Sequence, residues 1–281
     1  MRSRLIGALV GARLCERFGR KRTILVISAV FVAGTLACSL SPNEQTLALS
    51  RILLGAAVGG ATQTVPMFVA ELSPPQVRGR LVLAFQVALG VGILTATIVG
   101  ASQLLDWRWM IGIASLPAAL LLVLMLRAPE SPRWLVEVDK IDDARINLRR
   151  VRGVEDVEDE LHAIEEVEEQ ERQAPVSGWK GLRQSWVRPA LIMGCGMALF
   201  TQLSGFEMIV YYTPTILTDV GFAASGALYA SVSLAVTYVI MNVVGLNVVD
   251  RIGRRRLSLH NDPWRRACPR GARRRVRVRG G

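Results

Sequence analysis

Thr23–Leu40 runs for eighteen residues without an Asp, Glu, Lys, Arg or His, and it is one of several such stretches. Apolar segments lie at about 23–40, 47–70, 82–104, 109–127, 188–211 and 224–249. A helix needs about 20 apolar residues to cross a bilayer core. Six segments of that length make lipid the expected solvent and an all-α membrane protein the expected fold class. Overall composition alone would not have said so: 51% of the 281 residues are hydrophobic, only slightly high for a soluble protein. The distribution decides, because most of the charge sits in blocks at 13–22, 127–188 and 251 onward. This argues against a soluble enzyme and against disorder. A disulfide scaffold is also disfavoured, since Cys15, Cys38, Cys195 and Cys268 lie far apart with no CxxC.

The net charge of +11 is uneven. Residues 260–281 carry eight arginines and one acid, Asp262, and so hold +7 of it. Inferring nucleic-acid binding from the charge would be an inference from that tail alone, and no nucleic-acid partner is expected. An arginine arm on anionic lipid or RNA is the competing reading.

Residues 5–12 are apolar but too short to cross, and read as the last turns of a helix cut at Met1. A signal peptide is the alternative, disfavoured by the arginine-rich turn where a cleavage site should stand. Basic residues then set orientation. Arg13, Arg17, Arg20, Lys21 and Arg22 crowd 13–22, Arg78 and Arg80 lie in 73–81, eleven Lys/Arg lie in 127–188, and four Arg lie in 251–256. The alternate connections are poor in them: 41–46 and 212–223 have none, and 105–108 has only Arg108. The rich segments are therefore placed in the cytoplasm. Within the long one, Val154, Val157, Leu161, Ile164 and Val167 recur at helical spacing. Two or three short helices under the bundle are expected, with a solvated acidic linker as the plainer alternative.

Glu16-Arg17-Phe18-Gly19-Arg20-Lys21 and Asp250-Arg251-Ile252-Gly253-Arg254-Arg255 repeat one pattern 234 residues apart. The glycine permits a tight helix-to-helix turn. The acid can pair with a neighbouring basic residue, and the trailing basics are expected at the leaflet surface. Two copies in matching topology imply two homologous helical halves, with a substrate site between them.

With these residues in place, the chain resembles the sugar porter family of the major facilitator superfamily over roughly 5–257. The resemblance rests on motifs in order: Arg51…Gly55…Gly59, Pro66–Glu71, Pro74–Arg80, Pro129-Glu130-Ser131-Pro132-Arg133-Trp134-Leu135, Gln202–Glu207 and Tyr211–Pro214. Gly55 and Gly59 permit close helix approach. Ser131-Pro132 suits a helix start. The resemblance implies an incomplete transporter bundle of six full helices and a partial one, joined by a cytoplasmic helical linker. The implied division is 1–130 for the first half, 131–186 for the linker, 187–257 for two helices of the second half, and 258–281 for a tail without family features.

The implied function is secondary transport of a sugar or polyol by alternating access, with a proton as coupling ion. It is neither catalytic nor metal- or cofactor-dependent, and it resides in the cell membrane. By resemblance Gln86, Gln202, Glu207 and Tyr211 bind substrate, and Arg51 and Glu207 are proton-coupling candidates. Arg20, Glu71, Arg78, Glu130, Arg133, Asp250 and Arg254 form a cytoplasmic gating network. Gly205 inside an apolar span invites local unwinding. Glu207 stands where the family usually has Asn, and an acid near mid-membrane costs about 3 kcal/mol, which makes a functional role its default reading. Tyr238 stands where Asn is often found.

The family has twelve membrane helices, so the chain is expected to lack the first, most of the second and the last four. Its Arg/Gly/Pro-rich end reads as the product of a frameshift. An inert membrane remnant is the rival functional reading. With only His162 and His260, no GxSxG and no phosphate loop, hydrolytic and ATP-driven chemistry is disfavoured.

Overall fold

A computed structural model describes residues 2–102, 105–173 and 187–252, of which most are α-helical. The helices in order are α1 (Arg2–Phe18), α2 (Arg20–Ser39), α3 (Glu44–Leu72), α4 (Arg78–Ser102), α5 (Trp107–Ile113), α6 (Ser115–Arg127), α7 (Pro132–Glu137), α8 (Ile141–Arg152), α9 (Glu158–Gln173), α10 (Arg188–Leu203), α11 (Phe206–Asp219) and α12 (Ala224–Ile252). Six segments among the described residues are long and apolar enough to cross a membrane: 20–39, 44–72, 78–102, 107–127, 191–219 and 226–248. The six spans read from sequence are therefore present, with their ends moved by a few residues.

Three of those ends carry physical content. The basic segment 13–22 is not a loop. Helix α1 runs to Phe18 and α2 starts at Arg20, so the whole turn is Gly19 at φ 92°. The span expected at 188–211 continues to Asp219 and is broken at Ser204–Gly205, where Gly205 takes φ 71°. Much of the expected 212–223 connection is thus helix. The span at 107–127 is interrupted at Ala114, between α5 and α6.

Small residues fix the first layer. Helix α1 packs along α3, and a Cβ at Gly7 would collide with the Ala56 carbonyl, one at Gly59 with the Arg4 carbonyl. At Gly11 the Gly60 Cα would lie 3.1 Å away. Of the glycine pair read from sequence, Gly59 is strictly required. A Cβ at Gly55 would meet only the movable Ser3 side chain. Gly7, Gly11 and Gly60 complete the seam and were not singled out. On its other side α3 packs on α2, and α2 packs on α6. Ile24, Phe68 and Met125 close these three helices together near the charged end. Helix α4 lies along α12, where Gly90 makes room for the Tyr238 ring.

The charged segment folds into a layer of its own. Ser131 accepts the Trp134 N–H, with Pro132 at the first helical position, so α7 starts as its sequence suggests. Helix α8 has Asp142 and Asp143 in its first turn and Arg149, Arg150 and Arg152 in its last, matching the helix dipole. It ends on Gly153 at φ 69°. Trp134, Leu135, Val136, Ala144, Leu148, Val157 and Leu161 form a buried core, with Ile164 packed against it. The apolar stripe is correct at its centre. Its ends are exposed: Val154 lies in the turn between α8 and α9, and Val167 lies beyond the stretch of α9 that meets the core. The layer therefore has a hydrophobic reason to fold, which a purely solvated linker lacks. Leu148 is 1% exposed, so Leu148→Ala is expected to destabilise the layer by about 3 kcal/mol. Amide hydrogen exchange should quicken across α7–α9 and stay slow in α2 and α3.

Candidate functional site

Two arrangements bear on function, and the first is a clasp at the charged end. Arg20 opens α2, and the sharp turn at Gly19 drives its side chain inward, beneath the C-terminus of α3. A Cβ at Gly19 would lie 2.6 Å from Glu130 Oε2. Arg20 is 8% exposed, so it does not hold the turn at a lipid surface as its position suggested. The neighbouring Arg13, Arg17 and Arg22 do remain exposed. The inward path wins because two carboxylates wait there. Arg20 Nε and Nη2 donate to Glu71 Oε1 at 3.3 and 3.2 Å, and Nη1 donates to Glu137 Oε2 at 3.0 Å. The Ser131 hydroxyl donates to Glu71 Oε2 at 2.5 Å. Glu130 is held by backbone, accepting from Lys21 N at 2.8 Å and Ser131 N at 3.0 Å. Trp134 Nε1 donates to the Glu16 carbonyl at 3.1 Å. Three segments distant in sequence (the α1–α2 turn, the end of α3 and the start of α7) thus close on one guanidinium.

A second tie lies beside it. Arg152 Nη1 donates to the Leu72 carbonyl at 2.7 Å, satisfying an orphan acceptor at the end of α3. Its Nε and Nη2 take Glu160 at 2.8 and 2.6 Å. The hydrogen bonds from Arg152 hold the Glu160 carboxyl below the ordinary glutamate range. Partial burial works against them, and the Arg152 and Arg78 charges add to the lowering. A depressed folded-state pKa stabilises above the unfolded value of about 4.3 and is lost as pH falls from there through the lowered value. Exchange protection of α9 is therefore expected to hold from neutral pH to the mid-fours and to decline below. Glu160→Gln should flatten that acid-side decline.

Between these ties lies a cavity of about 650 Å³, walled by α1, α3, α7, α8 and α9. Arg78 and Arg133 line it with Arg20 and Glu71. Of the expected network, Arg20, Glu71, Glu130, Arg78 and Arg133 thus gather at one end. Only the backbone of Asp250 is described, and Arg254 lies outside the described residues. Glu137, Arg152 and Glu160 belong to the assembly and were not anticipated. Nothing in their local sequence separates them from other surface charges. Only the fold brings them to Arg20 and Leu72.

The second arrangement is the broken span α10–α11. Ser204 caps α10, and Gly205 is left-handed before α11 begins. Gln202 lies in the last turn before the break, and Tyr211 follows in α11. Gln86 lies on α4. All three are exposed, and the cavity described above is not lined by them. No described contact brings the three together. Glu207 opens α11, and only its backbone is described. A charge inside an apolar span, Arg51 is left by the sequence either to find an acid or to snorkel toward the outer surface. It is exposed on α3, beside exposed Leu49, Ile52 and Leu53, and has no acid partner among the described residues. That face of α3 is one that neighbouring helices leave uncovered.

The sequence model described as "Sugar (and other) transporter" matches residues 2–260. The chain belongs to this family. Its relatives include the putative metabolite transport protein YwtG of Bacillus subtilis, 40% identical over 92% of this chain and 57% of that protein. They also include a D-xylose transporter of Levilactobacillus brevis, 38% identical over 90% of this chain and 56% of that protein. The major myo-inositol transporter IolT of Bacillus subtilis is 37% identical over 89% and 54%. Among solved structures, the major facilitator proton:xylose symporter XylE bound to 6-bromo-6-deoxy-D-glucose superposes with a TM-score of 0.76. It is 25% identical and covers 90% of this chain and 59% of its own. The chain spans little more than half the length of the curated relatives it matches. The sugar (and other) transporter family and its all-α major facilitator fold account for the order of helices, for the apolar spans of a multi-pass membrane protein, and for the motifs at the charged end.

Proposed function

We propose that the chain is part of a secondary transporter that moves a sugar or polyol across the membrane by alternating access, with a proton as coupling ion. The observation that carries this reading is the break at Gly205. A helix interrupted inside an apolar span frees backbone groups, and such interruptions are tolerated where they border protein or a cavity rather than lipid. Around the break stand an amide, an acid and a phenol: Gln202, Glu207 and Tyr211. Amides suit hydroxyl-rich ligands because each both donates and accepts. Gln86 is assigned the opposite wall, and Glu207 and Arg51 the proton. The relatives described as D-xylose and myo-inositol transporters, and the proton:xylose symporter of like fold, support the substrate class and the coupling. The charged end, with α7–α9, is assigned to the cytoplasm by its excess of Lys and Arg, and the membrane is the cell membrane.

The test is uptake of labelled D-xylose and myo-inositol by proteoliposomes, with and without an inward proton gradient. Saturable uptake, stimulated by the gradient and reduced at least tenfold by Gln202→Ala, is the expected result. A second reading is an inserted chain that does not transport by itself. The exposure of Gln86, Gln202 and Tyr211, rather than their enclosure around one cavity, favours it. Correct insertion with no saturable uptake would establish this reading instead.

A further inference from the structure

We propose that Glu137, two residues beyond the Pro129–Leu135 motif, is a latch. It fixes which edge of the Arg20 guanidinium faces Glu71, and by doing so it closes the cavity over Cys15. The inference does not depend on whether the chain transports.

The argument begins with the guanidinium. It is a planar fork of five donors, and only one edge can face Glu71 at a time. In the structure that edge is Nε and Nη2, while Nη1 goes to Glu137 at 3.0 Å. Without Glu137, Nη1 would lose its carboxylate on a side chain that is only 10% exposed. The plane could then turn about Nε to find another acceptor. Glu137 itself is 36% exposed, whereas Glu71 is 10% exposed. Water reaches the first carboxylate readily and the second hardly at all, so Glu137 is the partner that exchanges. The start of α7 is held independently by Ser131 on Glu71 and Trp134 on the Glu16 carbonyl. The end of α8 is held by Arg152. Glu137, at the last residue of α7, lies between these fixed points and lines the cavity with Arg20, Glu16 and Cys15. Cys15 is 1% exposed, and its thiol donates to Thr64 Oγ1 at 3.4 Å. Releasing Glu137 leaves the backbone of α7 in place, since Val136 is buried and Arg172 holds the Glu137 carbonyl at 2.8 Å, but it frees the Arg20 and Glu137 side chains together, which widens the way to that thiol.

The chain carries its own reporter for this motion and its own control. Cys15 lies on the cavity wall, and Cys38 is equally buried at the opposite end of α2. In a Cys195→Ser, Cys268→Ser background, the rate of maleimide modification is measured at each thiol in detergent and in liposomes. Glu137→Ala should raise the Cys15 rate about tenfold with Cys38 unchanged. Glu137→Gln, which keeps an acceptor for Nη1, should restore most of the protection. Unchanged Cys15 reactivity in Glu137→Ala would overturn the proposal. So would a joint rise at Cys15 and Cys38, which would report general loosening of the fold.

Discussion

Arg20→Ala is expected to destabilise the protein by about 3–5 kcal/mol, the cost of leaving a buried carboxylate without its cation. The magnitude follows from where the charges lie. The Arg20 and Glu71 side chains are each 10% exposed, so solvent cannot replace the missing partner. An exposed pair such as Arg149 and Glu158, 48% and 40% exposed, would change stability by less than about 1 kcal/mol on Arg149→Ala. Thermal unfolding of detergent-solubilised protein should therefore separate the two variants clearly. A further arm isolates the cause. Removing both buried charges, as in Arg20→Met with Glu71→Gln, leaves only the water-accessible Glu137 without its cation and should recover most of the loss. If the double variant is as unstable as Arg20→Ala, packing by the Arg20 stem and not charge pairing holds the clasp together.

Gly59→Leu is expected to displace α1 from α3 and to destabilise by about 3 kcal/mol, the upper part of the range for overpacking. Even the first carbon of a side chain at that position would overlap the Arg4 backbone. A flexible side-chain tip could rotate away, but a helix backbone cannot, so the two helices must separate along their seam. Gly100 supplies the contrast, since a Cβ there would find nothing within 4 Å. Gly100→Ala in α4 should be neutral or stabilising by up to about 1 kcal/mol, through helix propensity alone. Disulfide cross-linking of cysteines placed at Ser3 and Gly55, which face each other across the seam, should be efficient in the parent and lost with Gly59→Leu.

Both predictions start from motifs visible in the sequence, yet the sequence assigned their partners unevenly. Arg51, Gly55 and Gly59 were read as one pattern. They separate in the fold into an exposed cation, a tolerant position and a strict one. Periodicity gives the face of a helix but not the distance of the neighbour. Arg20 was placed in a basic turn because five cations crowd ten residues. The single-residue turn at Gly19 then sent one of the five inward. Glu71, Glu130 and Arg133 were assigned to the charged end on motif order alone, and they do lie there.

The sequence by itself determined the solvent, the number and order of the spans, the break at Gly205 and the helix start at Ser131. Each of these is written in a local property: apolar length, glycine's access to positive φ, or a capping side chain. Tertiary structure alone decided that Glu137 shares Arg20 and that Arg152 caps α3 from 80 residues away. It also decided that Gly7 and Gly59 are contacts rather than tolerated residues. Charge pairing and close packing depend on distance in space, and residues this far apart in the chain acquire a distance only when the helices have packed.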